Sequence, residues 1–131
     1  MATGLAPGIA QAILDALCRS VAWSEPAGFF LKLHTADPGV AGATAAFGDT
    51  TRQAGTFAAA QADGTITTSA DTDWTNVSAA GTVTHVSFWS ASTAGTFLGS
   101  DDLATPRTLA IGDNFSIPAG DVDLSLAPIA A

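Results

Sequence analysis

The sequence predicts a mainly β fold: an antiparallel β-sandwich of about eight short strands, jelly-roll-like or Ig-like, with one N-terminal α-helix. Three observations carry this. Helical periodicity is confined to the start, where Leu5, Ile9, Ile13 and Leu17 recur every fourth residue. After Gly39 the large side chains come in short alternating runs broken by Gly, Pro, Asn and Asp at roughly eight- to twelve-residue intervals. Charged residues are only 12%, and Thr, Ser and Gly fill much of the remainder, as in strands joined by tight turns.

The elements follow in order. The first helix is expected from Gly4 or Pro7 to about Ser20, with Pro7 suited to its first turn and Arg19 to its last. Gly4 and Gly8 each weaken it by roughly 1 kcal/mol relative to Ala, so it needs a docking surface, either its own sheet or a neighbouring subunit. Val21 to Trp23 reads as a brief extended piece. Phe29 to Thr35 alternates as a strand and ends in a turn, with Asp37 capping, Pro38 presetting φ and Gly39 taking a positive φ. A loop of small residues anchored by Phe47 follows. Arg52 to Ala60 and Thr65 to Ser69 read as a hairpin around Asp63-Gly64. Trp74 and Val77 lie on a short extended piece. Thr82 to Trp89 is a central strand, with Thr84, Val86 and Phe88 on one face and Val83, His85, Ser87 and Trp89 on the other. Phe97-Leu98 and Arg107 to Ile111 are separate strands, with Pro106 at a strand start or edge. Phe115 and Ile117 alternate across Ser116. In the last strand Val122, Leu124 and Leu126 point inward and Asp121, Asp123 and Ser125 outward. Residues 1–131 make a single domain, with 1–22 helical and 23–131 the sandwich, long enough to bury roughly two thirds of its unfolded surface without a metal or disulfide.

Charge narrows the function. The net charge is −8, and the four basic residues, Arg19, Lys32, Arg52 and Arg107, are spread singly, so neither nucleic acid nor an anionic membrane is an expected partner. The start lacks the basic n-region of a signal peptide, Asp15 interrupts its apolar run, and no stretch is long enough to span a bilayer, so the chain is expected to be soluble. The single Cys18 excludes an internal disulfide and reads as a packed thiol.

No residues assemble into a reaction motif, so no catalytic residue, metal site or cofactor is expected and the protein reads as a non-enzyme. His34 and His85 lack partners at ligand spacing and read as hydrogen-bonded structural histidines. The pairs Asp71 with Asp73, Asp101 with Asp102, and Asp121 with Asp123 match no EF-hand order and read as solvated carboxylates rather than calcium ligands. Asn76-Val77-Ser78 and Asn114-Phe115-Ser116 fit the glycosylation pattern without a secretory context.

The segments GLAPGIAQAILDALCRSVAW, PAGFFLKLHTADPGVAG and DTTRQAGTFAAA, followed by GTVTHVSFW, GTFL and LAIGDNFSIPAGDVDLSL, resemble a family of small virion proteins of long-tailed phages of actinobacteria, described as minor tail or tail-fibre-like. The resemblance implies a non-enzymatic structural part of the virion, assembled in the host cytoplasm, with other virion proteins as partners. The leading reading is a minor tail protein in several copies, a homo-oligomer in which Leu5, Ile9, Ile13 and Leu17 form the docking stripe. The alternatives are a capsid decoration protein and a receptor- or carbohydrate-binding module of the tail tip, with Trp74 or Trp89 stacking on a host surface glycan. Core packing is the competing reading for both Trp residues, given how few large side chains the core has.

Overall fold

The structure, a computed structural model, describes residues 4–126, so positions 1–3 and 127–131 of the predicted domain lie outside the described residues. In chain order the elements are β1 (Gly4–Leu5), α1 (Pro7–Arg19), β2 (Phe30–His34), β3 (Gln53–Ala54), β4 (Thr65–Thr67), β5 (Thr72–Trp74), β6 (Gly81–Trp89), β7 (Phe97–Leu109), β8 (Phe115–Ile117) and β9 (Asp123–Ser125). A five-stranded sheet runs β1-β7-β6-β2-β3, and two two-stranded sheets pair β4 with β9 and β5 with β8. Every pairing is antiparallel. The mainly β sandwich with one helix near its start is therefore as the sequence predicts.

One apolar core joins the sheets. Leu31 and Leu33 of β2, Val83, Val86 and Phe88 of β6, and Leu98, Leu103 and Leu109 of β7 meet Trp74 of β5 and Phe115 and Ile117 of β8. Trp74 is 1% exposed; its indole stacks on Phe115 at 6.0 Å and its Nε1–H donates to the Thr51 carbonyl at 2.9 Å. Core packing therefore accounts for Trp74.

Several elements differ from the pattern in the sequence. Gly4–Leu5 is a strand, because its partners Ser100 and Gly99 lie on β7, and Leu5 thus precedes the helix. No strand forms over Val21 to Trp23. The expected Arg52–Ala60 strand contracts to β3 and a bridge from Phe57 to Thr68. The two strands expected around Pro106 are one, β7, in which Leu103 to Pro106 bulge opposite Thr84. There the missing proline N–H costs no ladder bond. The same break changes the phase of β6. Val83 reaches the core with Val86 and Phe88 although strict alternation puts it on the other face. In β9, Val122 just ahead of the strand is fully buried, Leu124 half-buried, and Leu126 53% exposed.

The corner after β2 is an Asx turn. The Gly39 N–H donates to Asp37 Oδ1 at 2.8 Å, Gly39 has φ 78°, and Pro38 is buried. The loop that follows folds back on β2, where the Phe47 N–H donates to the Leu33 carbonyl at 3.0 Å and the Phe47 ring is 1% exposed.

Candidate functional site

Two surfaces concentrate what the sequence singled out: the helix with the apolar groove beside it, and the outer face of the five-stranded sheet.

The helix is anchored at one end. The Ala6 N–H donates to the Leu98 carbonyl at 2.9 Å, and β1 pairs with β7. Its caps are weak: Ala6 offers no side-chain acceptor, and Ser20 adopts a left-handed φ of 56° that suits glycine better. No residue of the helix is buried. Ile9 packs against the core, and Ile13 lines an apolar groove of about 390 Å³ with Ile9, Trp23, Phe57, Ile66 and Leu124. Leu17 is 77% exposed and Leu14, beside it on the helix, 59%. The stripe is thus divided: Leu5, Ile9 and Ile13 turn toward the body, and Leu17 with Leu14 faces outward. The Arg19–Asp15 ion pair at 3.1 Å lies elsewhere on the helix surface. Cys18 is exposed, so it does not pack as expected of a lone thiol.

The outer sheet face holds a buried polar chain. His34 and Ser87 are each 0% exposed. His34 Nδ1 lies 2.8 Å from the Thr44 carbonyl, which can only accept, so the proton is on Nδ1. Nε2, 2.7 Å from Ser87 Oγ, therefore accepts the hydroxyl proton, and Ser87 Oγ in turn accepts Trp89 Nε1–H at 2.7 Å. Every polar atom of the chain has a partner, and the imidazole is neutral. Burial lowers the His34 pKa first, the nearby Lys32 and His85 charges lower it further, and the backbone around Thr44 and Ala45 opposes them. This is a structural histidine. His85, directly opposite it, shares a 2.8 Å hydrogen bond with Thr84 Oγ1.

The carboxylates are spread over several backbone contacts. Asp71 accepts the Ala119 N–H at 2.9 Å. Asp101 accepts the N–H groups of Asp102 at 3.0 Å and Asp123 at 3.1 Å, tying β7 to β9. Burial, with the charges of Asp123 and Asp102, pushes the Asp101 pKa up to about 6 against the Asp123 hydrogen bond. Asp73 and Asp123 are exposed. Among the described residues no three His, Cys, Asp or Glu side chains gather as metal ligands.

Sequence reasoning missed three side chains that organise these surfaces. Asp49, 8% exposed, accepts from the Thr51 N–H at 3.0 Å and the Ser78 N–H at 2.9 Å. Burial alone would raise its pKa, but these hydrogen bonds outweigh it and hold the carboxyl below its usual range. Arg52 lies with its guanidinium carbon 4.3 Å from the Trp89 ring centre, and Nη1 donates to the carbonyls of Ala91 at 2.9 Å and Ala94 at 2.6 Å. Trp89 thus carries an arginine over its ring. Trp23, 42% exposed at the groove, is the most open of the three indoles. Apart from the local Asp49–Thr51 turn, no spacing rule links these residues, because Asp49 and Arg52 find Ser78, Ala91 and Ala94 far away in sequence.

The site is thus a β-sandwich whose His34 and Asp49 are engaged in structural hydrogen bonds and whose helix turns Leu14 and Leu17 outward. The chain belongs to the family described as Podophage GP4 fiber I protein gp80, whose sequence model matches residues 5–125. It is therefore a phage virion structural protein of the tail-fibre kind, with other virion components as partners. The match does not carry the narrower resemblance to long-tailed phages of actinobacteria. No curated protein matches the chain.

Proposed function

We infer that the protein is a non-catalytic tail component assembled in several copies, and that the divided stripe of α1 joins it to its neighbours. The single observation that carries this reading is the helix itself: it is amphipathic and tethered through β1, yet none of its residues is buried, and Leu14 and Leu17 lie 59% and 77% exposed. Leu5, Ile9 and Ile13 seat the helix on its own body, and Leu17 with Leu14 supplies the outward contact. An isolated helix of this length is marginal in water, so an outward apolar face on a weakly capped helix is best accounted for by a partner. The family description favours a position in the tail over decoration of the head.

Sedimentation of the purified chain tests the reading. The wild type associates with rising concentration, and Leu14→Ser/Leu17→Ser stays monomeric with an unchanged circular dichroism spectrum. A wild type that remains monomeric, or a variant that still associates, would overturn it.

A further inference from the structure

The outer face of the five-stranded sheet sets two of the chain's four basic residues side by side. Lys32 lies on β2, Arg52 immediately precedes β3, and the pairing of Leu31 with Gln53 places the two cations across from one another on the side away from the core. Both charged groups lie within 6.0 Å of the Trp89 ring centre. The support is rigid: the indole is held by Ser87, which is held by His34, and Arg52 is pinned through Nη1 to the Ala91 and Ala94 carbonyls.

Among the described residues the only ion pair joins Arg19 to Asp15, so neither Lys32 nor Arg52 meets a carboxylate. In a chain of net charge −8 this is an isolated positive pole, built from like charges placed next to each other. Burial lowers the pKa of both, and the Arg52 charge lowers that of Lys32 further. With Nη1 occupied, Arg52 keeps Nε and Nη2 free to donate, and Lys32 keeps its three ammonium protons, a fork beside a point charge that suits a carboxylate or a phosphate. The ring supports the cations instead of offering itself. Arg52 lies over it, and the Phe97 ring packs 5.4 Å away at 49°, so charge and not stacking selects the ligand.

We propose that Lys32 and Arg52, mounted on Trp89, form a binding site for a carboxylate or phosphate group. One such contact on a partly solvated surface binds a carboxylate or phosphate in the millimolar range.

The test titrates the full chain at low ionic strength with glucuronate, with inorganic phosphate and with uncharged glucose, following the Trp89 indole N–H by NMR. Saturable shifts are expected with at least one anion and none with glucose. Glucuronate alone assigns a carboxylate site, phosphate alone a phosphate site, and both an anion site selective by charge. Lys32→Met keeps an unbranched stem against Trp89 and removes the charge, so it should keep the melting temperature and weaken binding about tenfold or more; Arg52→Gln should weaken it likewise. Absence of saturation with both anions, equal shifts with glucose, or unchanged affinity in Lys32→Met overturns the proposal. So does a salt-sensitive self-association that Lys32→Met abolishes without small-anion binding, because the occupant is then a carboxylate of a second copy.

Discussion

Replacing Ser87 by Ala isolates the polar chain under the outer sheet face. The hydroxyl performs two tasks at once, donating to His34 Nε2 and accepting from Trp89 Nε1–H, both at 2.7 Å. His34 is 0% exposed, so its orphaned nitrogen bears the full desolvation cost of about 1–3 kcal/mol. Trp89 is only half-buried, so the share of its N–H is the smaller, below about 1 kcal/mol. The expected loss is about 1–4 kcal/mol, read as a lower urea midpoint at constant slope by tryptophan fluorescence. Combining Ser87→Ala with His34→Leu removes both ends of the His34–Ser87 bond, and the double variant should lose at least about 1 kcal/mol less than the sum of the singles. A single-variant loss below about 0.5 kcal/mol, or strict additivity, would refute the assigned chain of donors and acceptors.

Two further outcomes follow from the geometry. Asp101 has its pKa raised to about 6, above its ordinary 3.8, so the folded state holds the proton more tightly; its contribution is most favourable at low pH and is lost as pH rises through about 6. Asp101→Asn should therefore gain roughly 1 kcal/mol on the wild type between pH 5 and 7.5, a figure reduced for solvent screening, and a gap that stays flat or reverses would refute it. His34, with a lowered pKa, contributes the opposite slope below its ordinary 6.5, which the comparison between variants cancels. Gly99→Ala places a Cβ 2.5 Å from the Gly4 carbonyl and should separate β1 from β7, costing about 1–3 kcal/mol and speeding proteolysis within residues 4–20. Unchanged proteolysis would show that β1 does not anchor the helix.

The legible parts of the fold are those where one local period dominates. The stripe of Ile9, Ile13 and Leu17 announces a helix, and the alternation of Leu31 and Leu33 against Lys32 and His34 announces β2. The illegible parts are breaks in the ladder. The bulge of Leu103 to Pro106 joins two apparent strands into one and shifts the phase of Val83, because register is set by the partner strand and by no signal within β6 itself. The candidate surfaces divide in the same way. The helix stripe was visible, whereas the meeting of Lys32, Arg52 and Trp89 joins residues far apart in the chain through pairing that only the folded sheet supplies.

By itself the sequence determined a mainly β body with one amphipathic helix, an acidic surface without a basic tract, and no residue spacing that announces a reaction. These follow from composition and short-range periodicity, which act before any long-range contact forms. Only the tertiary structure decided which half of the helix stripe seats on the body and which half faces outward, that Trp74 is core while Trp89 lies under an arginine, and that His34 is a neutral link between Thr44 and Ser87. The physical reason is common to all three: burial and hydrogen-bond partnership belong to pairs of segments distant in sequence, and the identity of the second segment is written nowhere in the first.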